Sequence, residues 1–231
     1  MWKAYIFVSA RAGVFLAAAA CFTVAAAAAE QIEVRGDRAE YSADGRRAEF
    51  DGNVVLQSGG ATVYAARLIV SVFAEGNHYQ VSGTPARAEC GDCATVSLQL
   101  LAPEILLRDD AERLFSADGG LTLCAGESCA RGRLRAGRAE WRRATGEVFL
   151  RGAPVDGFWL PGDGGAAVTM RAAEVNYAHP TGEVHLRGDA LVARGGEEIR
   201  GDSIMFNVKT GAINASGGDD SRVRGVFGGD E

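Results

Sequence analysis

Four cysteines lie near the middle of the chain and are the side chains whose chemistry is easiest to name: Cys90, Cys93, Cys124 and Cys129. In an oxidising compartment, an even number of cysteines predicts two disulfide bonds, with three possible connectivities. The two close pairs, Cys90 with Cys93 and Cys124 with Cys129, each fit the tip of a β-hairpin. Four thiolates could instead hold a zinc ion. Both interpretations stay open, and export of the chain would favour the disulfides.

The three histidines do not form a recognisable catalytic or metal-binding pattern. His78 follows Gly76-Asn77 and His179 precedes Pro180, so both lie at predicted turns, and His185 lies on the polar face of a predicted strand. None stands at metal-ligand spacing from another histidine, and no nucleophile motif is present. The histidines therefore predict no catalytic residue and no metal site, and the sequence predicts no cofactor.

Paired carboxylates are the other groups that could do chemistry, because two carboxyl groups at a fixed separation can hydrolyse a glycosidic bond. Such doublets occur at Asp109-Asp110, Glu197-Glu198 and Asp219-Asp220. They lie in predicted turns, and adjacent residues of a strand would point to opposite faces. A polysaccharide-acting β-helix enzyme is therefore kept only as an alternative, and ordinary solvation of loops explains the doublets better.

The first residues have the layout of a secretory signal rather than of a folded domain. Lys3 and Arg11 make a basic start, an Ala-rich apolar run covers residues 12–29, and Ala27-Ala28-Ala29 precedes Glu30 as a small-residue cleavage site. We predict a cleaved signal peptide at residues 1–29 and export of the chain. The alternatives are a retained membrane anchor and a lipoprotein signal that ends at Cys21.

The charge of the chain argues against nucleic acid as a partner. The chain has 24 Lys and Arg against 30 Asp and Glu, and the predicted leader removes two of the basic residues and none of the acidic ones. Duplex binding requires clustered cations, whereas here Arg alternates with Asp and Glu. Because Arg makes bidentate contacts with phosphate, a phosphorylated glycolipid remains compatible with this composition.

The rest of the chain shows no sustained helical period and instead contains an internal repeat. Short alternating segments are interrupted by Gly, Asp or Asn roughly every 8 to 12 residues, which predicts an all-β fold of many short antiparallel strands. An aromatic residue is followed eleven positions later by Gly at four places, and a further Gly lies between them. The four units are Tyr41, Gly45 and Gly52; Trp141, Gly146 and Gly152; Tyr177, Gly182 and Gly188; and Phe206, Gly211 and Gly217.

Each unit is interpreted as one β-hairpin. The aromatic residue ends a strand, the first Gly makes the turn, and the next strand is expected to run to the second Gly, where the chain bends again. Because a lone hairpin cannot bury its apolar face, the units must join into one sheet. We predict one β domain at residues 30–227, a cysteine-containing insertion near 86–130, and a flexible tail at 228–231.

Two stretches resemble the periplasmic lipopolysaccharide-transport bridge protein family, the LptA/OstA family. The first runs from Ile32-Glu33-Val34-Arg35-Gly36-Asp37-Arg38-Ala39-Glu40-Tyr41 to Ala48-Glu49-Phe50-Asp51-Gly52-Asn53-Val54-Val55-Leu56-Gln57, and the second includes Ile199-Arg200-Gly201-Asp202-Ser203-Ile204-Met205-Phe206-Asn207. The likeness covers residues 32–84 and 137–227, and the cysteine-containing segment departs from it. It implies an antiparallel, V-shaped, half-open β-jellyroll with an apolar interior.

The resemblance also implies localisation in the periplasm and a function without catalysis. Acyl chains of lipid A, the anchor of lipopolysaccharide, would lie in an apolar groove. The edge strands would pair with the inner-membrane transporter complex, with the outer-membrane translocon or with further copies in a head-to-tail oligomer. An envelope scaffold with a filled core is the alternative, since a groove and a core share one sequence pattern. The residues expected to line the interior are Val54, Leu56, Leu68, Val70, Val148, Leu150, Val184, Leu186, Ile204 and Phe206.

Overall fold

A computed structural model describes residues 6–7, 32–58, 60–74, 76–90, 98–108, 114–125, 130–142, 144–161, 165–217 and 223–226. In these ranges the chain forms strands and turns, and no helix long and apolar enough to cross a membrane occurs there. The strands are β1 (Ile6–Phe7), β2 (Glu33–Arg35), β3 (Arg38–Tyr41), β4 (Arg47–Ser58), β5 (Ala61–Phe73), β6 (Gly76–Cys90), β7 (Leu98–Arg108), β8 (Leu114–Ala125), β9 (Gly132–Arg142), β10 (Glu147–Trp159), β11 (Val168–Ala178), β12 (Glu183–Arg194), β13 (Glu197–Asn207), β14 (Ile213–Ser216) and β15 (Arg224–Val226).

All of these strands belong to one antiparallel sheet, which confirms the predicted all-β, antiparallel fold class. From β4 to β14 each strand pairs with the next in sequence, so the sheet is a succession of hairpins. Both ends are divided: β2 and β3 pair with different parts of β4, and β14 and β15 with different parts of β13. Strand β1, inside the predicted leader, pairs with β2. The cysteine-containing segment contributes β7 and β8 to the same sheet.

The predicted hairpin turns are confirmed at all four units. Gly45, Gly146, Gly182 and Gly211 have φ values of 67°, 71°, 75° and 72°, which are costly for residues with a side chain. Successive turns also bond to one another. The amide of His179 donates to the carbonyl of Gly146 at 3.1 Å, and the amide of Val208 donates to that of Gly182 at 2.8 Å. Neighbouring turns are thus stacked as one row.

The second Gly of each unit behaves differently from the expectation. Gly52, Gly152 and Gly188 have positive φ, but they lie in the middle of β4, β10 and β12 and not at strand ends. The prediction of short strands that stop there was wrong. At each of these points the chain forms a register shift, and pairing resumes beyond it, so a strand of 12 or 13 residues continues across the interruption. Gly217 lies just beyond the end of β14.

The register shifts of adjacent strands align across the sheet and form a line that we call the crease. Three prolines lie on it: Pro85 in β6, Pro103 in β7 and Pro154 in β10. Proline is tolerated there because a bulge leaves an amide without a ladder partner. The crease divides the sheet into two halves. Wall A comprises the described residues of 33–35, 54–65, 86–102, 121–136, 155–172, 190–201 and 224–226, and wall B those of 38–51, 67–82, 104–118, 138–151, 174–187 and 203–216.

The crease also explains how one strand can bury residues in both walls. In β11, Val168, Met170 and Ala172 are buried, and the buried positions then shift by one residue to Val175 and Tyr177. A bulge adds one residue, which resets the alternation so that both halves face the same side. That side carries the hydrophobic core, and Ser58 is the one buried polar residue among the described side chains.

The two walls fold against each other. Trp159 pairs with Val168 at the outer end of wall A, and Tyr177 lies nine residues from Val168 along β11, in wall B. A straight strand would separate those two positions by about 30 Å. The ring centroids of Trp159 and Tyr177 are instead 6.3 Å apart. The sheet is therefore bent at the crease until the far ends of the walls meet, as a V-shaped arrangement requires.

Candidate functional site

The candidate site is the space between the two walls, and the predicted interior residues all border it. Each is at most 7% exposed, and Leu68, Val148, Leu150, Leu186, Ile204 and Phe206 have no exposed surface. Val54 and Leu56 belong to wall A, and the other eight belong to wall B. Their burial agrees with the sequence pattern. That any of them contacts a lipid stays a prediction.

The sequence pattern, interpreted as short strands, omits most of the interior of wall A. These residues follow the same alternation, but they lie beyond the interruptions predicted to be strand ends, so they are not assigned to the inner face. Extending the alternation through each interruption identifies them, with a shift of one residue in strands such as β11 and with no shift in β12, where Ala190 and Val192 continue the alternation of Val184 and Leu186. The omitted inner residues of wall A include Val34, Val63, Leu98, Leu100, Leu121, Leu123, Val155, Val168, Met170 and Val192.

The interior is closely packed. Leu98, Trp159 and Met170 from wall A and Tyr177 and Val184 from wall B border one pocket. Its volume is about 20 Å³, enough for about one water molecule. An acyl chain does not fit into a space of that size, so a ligand between the walls would have to separate them.

The outer ends of the two walls, opposite the crease, form what we call the mouth of the V. An aromatic contact closes the mouth over the middle strands. Tyr177, which contacts Trp159 of wall A, also forms a hydrogen bond between its hydroxyl and Nδ1 of His179 at 3.0 Å. Burial raises the pKa of Tyr177 to about 12, so its hydroxyl stays protonated at neutral pH and can donate to the imidazole. Burial, together with the nearby Lys209 ammonium, lowers the pKa of His179.

A second contact closes the mouth near the carboxyl end of the sheet. Arg194, at the end of β12 in wall A, donates from Nη1 to the carbonyl of Gly211 in a turn of wall B at 3.4 Å. The rim beside this bond has a pocket of about 520 Å³, bordered by Ala166 of the β10–β11 connection and Thr210 of a wall B turn. Side chains thus hold the rims together. The described backbone hydrogen bonds outside the ladders lie within one wall or at the crease.

The four cysteines were predicted to form disulfides or a zinc site. Cys124 is fully buried and carries a disulfide bond. Its partner is not among the described side chains: Cys93 and Cys129 lie outside the described residues, as does the side chain of Cys90. The connectivity therefore stays a prediction. In the described ranges no group of three or more His, Cys, Asp or Glu is placed to hold a metal ion.

The fold and the interior together define a class of structure, an antiparallel sheet folded along a crease with an apolar space between its walls. No protein-family model matches the chain, and no curated protein matches it either. Among solved structures the chain is similar to LptH, described as the LptA-homologous periplasmic component of the conserved lipopolysaccharide transport device from Pseudomonas aeruginosa. The identity is 15%, the match covers 86% of this chain and 95% of that chain, and the TM-score is 0.25. A similarity this low says nothing about the function of this chain.

Proposed function

We propose that this chain is a periplasmic carrier without a catalytic step, which takes up the acyl chains of lipopolysaccharide between its two walls. The observation that carries the proposal is the inner face itself: it is apolar along both walls, whereas charged side chains lie on the other face. An acyl chain gains roughly 0.8 kcal/mol for each methylene that leaves water. Binding by burial alone needs no reacting group.

Release and uptake would use the crease as a hinge. The walls are continuous through the strands at the crease, but at the mouth they are joined by side-chain contacts such as Trp159 with Tyr177 and Arg194 with Gly211. The walls can therefore separate without breaking a strand ladder. Acyl chains would then replace wall-to-wall packing, so the cost of opening is offset by the burial of the ligand.

Bridging between membranes would use the edges of the sheet. Removal of the predicted leader removes β1 and leaves β2 without its outer neighbour, while β14 and β15 form the opposite edge. Exposed edges offer unpaired amides and carbonyls to another strand. We propose that these edges pair with the inner-membrane transporter complex, with the outer-membrane translocon, or with another copy in a head-to-tail oligomer.

One observation favours a second function. The packed interior, with its pocket of about 20 Å³, is what an envelope scaffold with a filled core would have. Such a protein would copurify without lipid, and its walls would stay together. The two functions therefore differ in whether the inner face ever contacts an acyl chain.

The test is photo-crosslinking in cells followed by mass spectrometry of the attached molecule. Crosslinkers replace Leu56, Leu150 and Phe206 on the inner face, and Tyr64 and Arg200 serve as controls on the outer face. The carrier predicts lipopolysaccharide at the inner positions and none at the controls. An exported, folded chain without lipid at any inner position would leave the filled scaffold as the better account.

A further inference from the structure

A polar pocket lies on the outer face of wall B, opposite the interior. It has a volume of about 220 Å³ and is formed by β10, β11 and β12. Two rows of cross-strand neighbours build it. Phe149, Asn176 and His185 make one row, and Arg151, Glu174 and Arg187 make the other.

The internal repeat creates this arrangement. The segments Thr145-Gly146-Glu147-Val148-Phe149-Leu150-Arg151-Gly152 and Thr181-Gly182-Glu183-Val184-His185-Leu186-Arg187-Gly188 place an aromatic ring and an arginine at equivalent points of β10 and β12. Strand β11 lies between them and adds one amide and one carboxylate. Two arginines therefore flank a single glutamate. Their backbones lie about 5 Å from that of the glutamate on either side, which is the distance between neighbouring strands.

The two arginines of the pocket differ in whether they form an ion pair. Arg151 Nε lies 3.4 Å from Glu174 Oε1, so this carboxylate is already paired. Arg187 is exposed and makes no ion pair with the described carboxylates, which leaves its guanidinium available to an anion. A guanidinium binds phosphate or carboxylate through two parallel hydrogen bonds.

The row of Phe149, Asn176 and His185 suits the ring of a sugar. The ring of Phe149 has the Arg142 guanidinium 4.7 Å from its centroid, and His185 provides a second ring on the other side of Asn176. Asn176 Oδ1 is buried and accepts no hydrogen bond in the described part of the chain. Asn176 borders the pocket between the two rings, and a rotation of its side-chain amide would bring Oδ1 to a ligand with hydroxyl groups. Glu174 can accept a further hydroxyl.

We propose that this outer pocket binds an anionic sugar, with Arg187 on the anionic group, the Arg151–Glu174 pair on hydroxyls, and the Phe149 and His185 rings beside the sugar ring. The site is separate from the inner face, so it does not depend on the carrier function. A soluble sugar phosphate and the headgroup of a phosphorylated glycolipid share this chemistry.

Isothermal titration with glucose 1-phosphate tests the proposal, with glucose and inorganic phosphate as the two fragments of the probe. We expect glucose 1-phosphate to bind more tightly than either fragment. Arg187→Gln should weaken its binding about tenfold, the loss typical of a charge-assisted hydrogen bond, and Arg187→Lys should restore it only in part. Arg200→Gln is the matched control, because Arg200 is exposed on the neighbouring strand and already bonds to Glu198 at 2.6 Å.

Three results would overturn the proposal: no binding of glucose 1-phosphate, equal binding of inorganic phosphate, or an equal loss in the Arg200→Gln chain. Circular dichroism confirms that each variant is folded. Titration with lipid A in detergent micelles then distinguishes the two kinds of ligand. Weaker binding by Arg187→Gln than by wild type points to a glycolipid headgroup, and equal binding points to a soluble sugar. Because glucose 1-phosphate has no acyl chain, its result is independent of lipid uptake by the interior.

Discussion

The rings of Trp159 and Tyr177 meet at a centroid distance of 6.3 Å although they come from opposite walls of the sheet. An aromatic pair contributes roughly 0.5–1.5 kcal/mol beyond its buried area. We expect a double-mutant cycle with Trp159→Ala and Tyr177→Ala to give a coupling of about that size, measured by urea unfolding. The control cycle pairs Trp159→Ala with Tyr64→Ala on the outer face and should show no coupling. Independent effects of Trp159 and Tyr177 would mean that the walls do not meet in solution.

The crease predicts unequal effects for two glycines that both have positive φ. Gly152 has a φ of 134°, and an added Cβ would lie 2.4 Å from the amide nitrogen of Gly137. Gly45 has a φ of 67° and no atom within 4 Å of such a Cβ. We expect Gly45→Ala to cost about 1 kcal/mol of unfolding free energy and Gly152→Ala clearly more, because backbone strain and a collision add up. Chemical denaturation measures both, and equal losses would contradict the close approach of β9 and β10.

Because of His179, we expect the free energy of unfolding to be lower in mild acid than at neutral pH. Burial lowers its pKa below the usual value near 6.5. Between these two values the unfolded chain binds a proton that the folded chain does not, so the free energy of unfolding falls as the pH drops through that interval. We expect part of the loss between about pH 7.5 and about pH 5.5 to disappear in His179→Gln.

A companion variant separates the effect of the Tyr177–His179 hydrogen bond from the effect of burial. Tyr177→Phe removes the hydrogen bond to His179 but keeps a ring of nearly the same size. Since burial is the main cause of the lowered pKa, the pH dependence should persist in this variant. Urea midpoints across the pH range measure both, and a pH profile that is the same in wild type and His179→Gln would count against the assignment.

The sequence predicted the local structure well because alternation and turns are local properties. Gly146, Gly182 and Gly211 make the turns expected of them, and Val184 and Leu186 face inward while Glu183, His185 and Arg187 share the other face. These features depend on residues close together in the chain, so no knowledge of the sheet is needed to find them.

The crease leaves a signal in the sequence that is easily mistaken for a series of turns. Pro85, Pro103 and Pro154 each interrupt a run that is otherwise typical of a strand. Proline inside a strand indicates a bulge or a sheet edge, and the aligned spacing of these prolines and of Gly52 and Gly188 marks a bend repeated across the sheet. The prediction of strand ends at these glycines was wrong because a bulge and a turn use similar residues.

The contacts between distant strands could not be predicted from the sequence. How closely Trp159 approaches Tyr177 depends on how far every strand bends at the crease. The outer pocket depends on the register of three strands, which brings Arg151, Glu174 and Arg187 into one row. The interruptions shift that register by one or two residues, and a single sequence does not specify where the pairing resumes.

The central claim, that the walls separate to admit acyl chains, is tested most directly by a distance across the mouth. Spin labels attached through non-natural residues at Ala166 and Thr210, which border the rim pocket from opposite walls, report that distance, and labels at Thr181 and Thr210 within wall B serve as the control. On addition of lipopolysaccharide we expect the first distance to increase by several ångströms and the second to stay constant. Lipid bound according to mass spectrometry with no change in the first distance would contradict the opening of the walls.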